Sequence, residues 1–179
     1  MQMKPCEFSS LDDQEVDDAL DRELRGLLCT CFTREQDQIF RERRYFSEPP
    51  RRRWLARHDG ELVAHLAAHE KTFESGEGPI RVLGIAEVCV APACRRQGLV
   101  GRMLELAHAY GMSQGFDVAF LFGLAQHYRS SGYRSVANVL RETPPTGTPI
   151  EKVFPDAMMR PLGSSAWPDG IIDLRGPVF

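Results

Sequence analysis

The chain has 179 residues, and its 42% hydrophobic and 26% charged content sits near the globular average, which excludes a disordered or fibrous chain. Its formal net charge of −3 removes any overall attraction to nucleic acid or to an anionic membrane, and no nucleic-acid-binding motif is recognisable. Cys6, Cys29, Cys31, Cys89 and Cys94 are an odd set without scaffold spacing, and no apolar run reads as a cleaved leader or a membrane span. A reduced, cytoplasmic chain is expected. Cys29 and Cys31 would point apart on a helix, so no metal site is expected of them.

Asp12 and Asp13 open a stretch in which Val16, Leu20, Leu24, Leu27, Leu28 and Cys31 recur at helical spacing, which predicts a helix from Asp12 onwards. Acidic residues in its first turn suit the positive end of the helix dipole. A shorter helical segment is predicted from about Arg34 to Arg44, stopped by Pro49 and Pro50. From Arg51 the pattern turns to strand. Asp59-Gly60 is a strong two-residue hairpin signal, and beyond it Leu62, Ala64, Leu66 and Ala68 share one face while Val63, His65, Ala67 and His69 share the other. The stretch "ESGEG" marks a second hairpin turn, leading to a long β-rich run that Pro92 ends. The helix after it carries Leu99, Met103, Leu106 or Ala107, and Tyr110 on one side, and "QGFDVAFLFG" then reads as a buried strand. Strand, helix and buried strand in that order predict a parallel crossover.

Downstream come the short segment "LAQHYRSSGYRS", more strand-like sequence, the loop "TPPTGTP" and a last strand around "EKVFPDAMM". The tail "SSAWPDGIIDLRGPVF" holds too many apolar residues for a solvated terminus and is expected to pack back on the domain. There is no internal repeat and no low-complexity tract.

Between Pro92 and the helix the sequence supplies Arg95, Arg96, Gln97 and Gly98, with Gly101 one turn further on. A glycine at a helix start lets backbone N–H groups approach an anion, and the helix dipole adds positive charge there. That is a phosphate cradle. It is neither a P-loop, which needs Lys then Ser/Thr after its glycines, nor the GxGxxG of dinucleotide folds.

These residues resemble the GCN5-related N-acetyltransferase (GNAT) superfamily, whose acetyl-CoA signature (Gln/Arg)-x-x-Gly-x-(Gly/Ala) follows a strand like V-x-V-x-P. Here the strand ends Val88-Cys89-Val90-Ala91-Pro92 and the signature reads Arg95-Arg96-Gln97-Gly98-Leu99-Val100, with Val100 in place of Gly or Ala. The resemblance implies a mixed α/β fold, a mixed central sheet flanked by helices, in a single domain. Residues 1–50 would be a helical acceptor-side cap, 51–140 the acetyl-CoA-binding core and 141–179 the C-terminal strands and tail. It further implies that the amides from Gln97 to Gly101 hold the pyrophosphate while the backbone of Val88 to Val90 pairs with pantetheine. A second family element, like G-x-x-x-Y-Y-x-x-x-G-F, is matched by Gly123 to Tyr133 and puts Tyr128 where a tyrosine protonates the departing thiolate.

By that resemblance the chain is an acetyl-CoA-dependent N-acetyltransferase acting without a metal on a small-molecule amine, and a homodimer stays open. Glu87, on the strand face opposite Val88, is the candidate base, and many relatives carry a Glu in this register. Each residue has a plainer alternative. Glu87 could be a strand carboxylate paired with an arginine, and Tyr128 a packed core ring. His65, His69 and His127 read as packing or surface residues, and Cys89 and Cys94 as packing residues. Arg41, Arg43, Arg44 and Arg51 to Arg53 read as a solvated face, with an anion grip as the alternative. The turn and tail look similar to aminoglycoside 2′-N-acetyltransferases and to nodulation-factor N-acyltransferases. Both act on amino sugars, which makes Asp169, Asp173 and the Phe179 carboxylate candidate acceptor contacts. A non-catalytic acyl-CoA sensor on the same fold would need neither Glu87 nor Tyr128.

Overall fold

A computed structural model describes residues 5–179 of the chain, and these divide into two units. One holds the N-terminal stretch as far as Ala68 together with Ala86–Ala107, the other His69–Ile85 with His108–Phe179.

In the first unit β1 (Glu7–Asp12) pairs antiparallel with β2 (Arg52–His58), and β2 pairs antiparallel with the first part of β3 (Glu61–Ser75). Asp59 and Gly60 join β2 to β3 with left-handed φ values of 47° and 86°, as a two-residue hairpin turn requires. Strand β1 was not foreseen. Its sequence EFSSLD has no period-two burial, and it is a strand because residues Glu7 to Asp12 lie in register with Arg57 to Arg52. The helix predicted from Asp12 begins later. Asp13 lies in a short 3-10 turn, and α1 (Asp18–Cys31) starts after Asp17, whose side chain accepts the Leu20 N–H at 2.8 Å. The second helical segment is a 3-10 helix, Glu35–Arg41. Leu27 and Leu28 of α1 and Phe40 pack with Cys89 into one apolar cluster.

Strand β4 (Gly78–Val90) runs to a 3-10 turn at Pro92–Cys94, and α2 (Leu99–Ser113) follows the glycine-bearing loop. The buried residues of α2 include Leu99, Met103 and Ala107, as the spacing predicts, but also Leu104 and His108.

The second unit adds β5 (Val118–Phe122), the single turn α3 (Ala125–Tyr128), β6 (Arg134–Ser135), β7 (Val139–Thr143), β8 (Ile150–Glu151), β9 (Ala157–Pro161) and β10 (Ile172–Arg175). Its strand order is β6-β9-β5-β4-β3-β10-β7-β8. Strands β4 and β5 are parallel, with Val82 opposite Val118, so the predicted crossover through α2 is present. The sheet is mixed, because β9 runs antiparallel to β5. The strand expected around residues 151–159 is not the last. The tail contributes β10, which enters between β3, antiparallel, and β7, parallel. Ile172 and Leu174 are fully buried there with Phe73, Val82, Phe120 and Met159. Trp167 stacks on Phe120 at 6.2 Å and donates its indole N–H to Asn138 Oδ1 at 2.8 Å, pinning the segment ahead of β10. Among the described residues no helix is long and apolar enough to cross a membrane.

Because Leu174 is fully buried, Leu174→Ala is expected to lower unfolding free energy by about 2–5 kcal/mol. Ile171→Ala, at a side chain 48% exposed, should change it by less than about 0.5 kcal/mol. Urea denaturation followed by circular dichroism checks both.

Candidate active site

Glu87 lies within β4, three residues before its end. Its φ of 52° is left-handed, a conformation that strains a non-glycine residue by about 1–3 kcal/mol and breaks the face alternation expected around Val88. Two contacts hold it. The Phe46 N–H donates to Glu87 Oε1 at 2.8 Å, and His65 Nδ1 lies 3.1 Å from the Glu87 carbonyl oxygen. On its other side His65 Nε2 is 2.9 Å from Arg53 Nη1. A guanidinium only donates, so Nε2 accepts and Nδ1 carries the proton given to the Glu87 carbonyl.

Arg53 has no solvent exposure, so every donor needs a partner. Its Nε donates to Asp13 Oδ1 at 2.6 Å, its Nη2 to the Arg44 carbonyl at 3.0 Å, and its Nη1 stands 3.5 Å from Glu87 Oε2. Oε2 is buried without a hydrogen bond among the described residues. Burial therefore pushes the Glu87 carboxyl up to about 7, against the lowering influence of Arg53 and the Phe46 amide, and Asp13 adds to the rise. Burial, reinforced by Arg53, holds His65 well below its ordinary range, so the ring is neutral. Burial would raise Asp13, but hydrogen bonds and charge from Arg44 and Arg53 outweigh it and keep Asp13 ionised below the usual carboxylate range.

These contacts correct the sequence reading in two places. Arg44 and Arg53 do not belong to a solvated face, since both are tied to Asp13. Asp13 is a buried counterion, not the acidic start of a helix. The arginine partner considered for Glu87 exists, yet at 3.5 Å it leaves the carboxyl near neutrality. Charge pattern hid all of this, because a run of arginines says nothing about which one points inward.

Downstream of Glu87 the same strand leads into the loop. Cys89 is buried, while the Val90 carbonyl accepts from Cys31 Sγ at 3.4 Å and from Arg95 Nε at 3.3 Å, which commits it within the protein. Arg95, Arg96, Gln97 and Gly98 are exposed, and Leu99 is buried as the anchor of α2. Arg96 and Gly98 have φ values of 64° and 76°, left-handed turns of the kind that form anion-binding backbone concavities. A side chain at Gly98 or Gly101 would meet no atom within 4 Å, so this backbone borders open space. The first N–H groups of α2, at Leu99, Val100 and Gly101, have no carbonyl one turn earlier within the helix. This donor set fits a phosphate-bearing ligand.

In the second unit, Tyr128 ends α3. Its ring lies against Gly123, where an added Cβ would come within 2.6 Å of Tyr128 Cε2, so only glycine admits this placement. Tyr133 meets it edge-on at 5.9 Å. Arg160 Nη1 donates to His108 Nδ1 and to the Ser131 carbonyl, both at 2.8 Å, so the proton on His108 Nε2 is directed at Tyr133 Oη, 2.8 Å away. Burial and the Arg160 charge bring His108 down to about 4. Burial raises the Tyr128 hydroxyl above its ordinary value, and it is protonated at neutral pH. His127 is exposed, and His69 stacks on the Phe179 ring at 5.5 Å. Of the tail carboxylates, Asp169 is exposed, and Asp173 is buried and accepts from Thr143 Oγ1 at 2.7 Å. No three His, Cys, Asp or Glu side chains among the described residues form a metal-binding group.

The buried Glu87 carboxyl has a stability consequence with a definite sign. Its folded-state value of about 7 lies above the ordinary 4.5, so the folded state keeps a proton that the unfolded state loses as pH rises between those values. Glu87→Gln is expected to match the wild type in stability below about pH 4.5 and to exceed it by about 3 kcal/mol above pH 7. Chemical denaturation of both proteins across that range checks this.

The model of the acetyltransferase (GNAT) domain matches residues 8–136. No curated protein matches the sequence. Among solved structures, the GNAT family N-acetyltransferase YhbS from Escherichia coli, in complex with CoA, is 16% identical and superposes with a TM-score of 0.68 over 97% of this chain and 93% of its own. A GNAT family acetyltransferase from Brucella melitensis, in complex with acetyl-CoA, is 15% identical with a TM-score of 0.61 over 93% and 94% of the two chains. An acyl-CoA N-acyltransferase from Pseudomonas aeruginosa is 20% identical with a TM-score of 0.61 over 87% and 99%. At these identities the likeness is one of fold, and it is the family match over most of the chain, on the fold described above, by which the protein belongs to the GNAT family of acetyltransferases.

Proposed function

We propose that the protein transfers an acetyl group from acetyl-CoA to the primary amine of a small molecule by direct attack. The observation that carries this is a single segment, residues 87–101, which joins a buried carboxyl near neutrality to an anion cradle at the start of α2. The CoA and acetyl-CoA bound by the Escherichia coli and Brucella melitensis relatives support the choice of donor.

In this reading the amides from Gln97 to Gly101 hold the pyrophosphate, with Arg95 and Arg96 as exposed cations beside it. The backbone about Val88 to Val90 lines the pantetheine arm, with the Val90 carbonyl already engaged. Glu87, ionised, takes a proton from the acceptor ammonium directly or through a water, and the amine nitrogen then attacks the thioester carbonyl. As the carbon–sulfur bond breaks, Tyr128 gives its proton to the CoA thiolate, and the proton shed by the newly acylated nitrogen restores the phenol. A base near 7 and a phenol held protonated suit these opposite tasks at neutral pH. Amino sugars head the acceptor panel, because the tail resembles that of enzymes acting on them.

Isothermal titration with acetyl-CoA is expected to show binding near micromolar that Gly98→Glu removes, since a carboxylate would then occupy the open space beside the cradle. Absence of binding would sink the donor assignment. With an accepted amine, thiol release should show kcat/KM rising with pH through about 7, the free-enzyme value of the base. Glu87→Gln is expected to lower kcat by ~10²-fold and to abolish that rise, with acetyl-CoA affinity retained. Tyr128→Phe should slow acyl transfer in a single turnover, and an unchanged rate would remove it as the acid.

A further inference from the structure

We infer that Asp13 sets the basicity of Glu87 by competing with it for the charge of Arg53, which makes Asp13, Arg44 and Arg53 positioning residues for the base. This rests on Glu87 being the base of the reaction proposed above.

Arg53 carries one positive charge, is sealed from water, and has two carboxylates in reach. Asp13 holds its Nε at 2.6 Å, whereas Glu87 Oε2 stands 3.5 Å from Nη1. Asp13 is itself shared. Arg44 grips it from the other side, Nε to Oδ1 at 2.9 Å and Nη2 to Oδ2 at 2.7 Å, and also reaches Asp21 at 3.0 Å. The charges thus alternate from Arg44 to Asp13 to Arg53 to Glu87.

The remaining groups around Glu87 leave this chain in control. His65 of β3 is neutral and spends its proton on the Glu87 carbonyl. The Phe46 amide engages Oε1 alone. Cys89, two residues along β4, is kept as a thiol by Cys31 and by burial. An uncompensated Arg53 would hold Glu87 ionised and make it too weak a base, while burial without Arg53 would leave it protonated at neutral pH. Asp13 takes enough of the charge to set Glu87 between these limits.

The sign of the effect separates tuning from scaffolding. Asp13→Asn releases Arg53 to Glu87, so the acid limb of kcat/KM should move down by roughly one pH unit. Arg44→Gln removes a cation and leaves Asp13 wholly to Arg53, so the limb should move up by about half a unit. Loss of scaffolding alone would lower the rate without opposite displacements. The experiment is the pH profile of kcat/KM for wild type, Glu87→Gln, Asp13→Asn and Arg44→Gln, each first shown to melt cooperatively. If the limb persists in Glu87→Gln, the base assignment fails and takes this inference with it. If Glu87→Gln removes the limb but the other two variants leave it in place or move it the same way, the inference is overturned and the base stands. Should Asp13→Asn fail to fold with Arg53 left uncompensated, Arg44→Gln decides alone. An upward shift supports the inference, and no shift or a downward one overturns it.

Discussion

The buried pair of Arg53 and Asp13 is the constraint around which the first unit is organised. Taking two charges out of water is expensive, and the mutual attraction recovers that loss only when every donor and acceptor is used. Arg53 approaches this condition by giving each of its three nitrogens a hydrogen bond, to Asp13, His65 and the Arg44 carbonyl, three different parts of the chain, from one position on β2. The requirement fixes local structure in turn. Asp13 is held in its 3-10 turn and cannot begin α1, which leaves capping to Asp17. The Arg44 carbonyl is drawn inward, and two residues later the Phe46 amide falls on the Glu87 carboxylate.

What this order supports is a residue that destabilises the fold. Glu87 has a left-handed backbone within a strand and a buried carboxylate oxygen without a hydrogen bond among the described residues. Such strain persists only where the surroundings over-determine it, and it concentrates at functional sites. His65 supplies that determination, because its tautomer is fixed by an arginine that cannot accept. Tyr128 is held by a different device in the second unit. There a missing side chain at Gly123 makes room for the ring, and a network through Tyr133, His108 and Arg160 stiffens its neighbour.

Features that rest on local chemistry were legible in the sequence. Asp59-Gly60 makes its turn because both residues tolerate positive φ, and the crossover through α2 follows from an apolar strand on each side of an amphipathic helix. The glycine turn of Arg95 to Gly101 was legible for the same reason. Features that rest on partners distant in sequence were not. Strand β1 has no pattern of its own and is defined by β2. Strand β10 is four residues long, within a tail whose apolar content betrayed packing but not pairing. Asp13 resembles any acidic residue at a helix start, and only the fold brings it to Arg53 and Arg44 from across forty and thirty-one positions. Glu87 could be singled out as a candidate from its strand, but the residues bonded around it could not.

Strand β10 also bears on how the chain is made. Asp173 pairs with Glu74, and Leu174 with Phe73, so the middle of the second unit's sheet waits for residues nearly a hundred positions further on. At ~5–20 residues per second of synthesis, β3 spends roughly 5–20 s on the ribosome with that edge unmatched. During that interval β3, and β7 once it has been made, present backbone donors and acceptors without their strand partner, the kind of edge along which unrelated chains join. Nascent chains of this protein therefore carry this aggregation hazard until a four-residue strand slides into place.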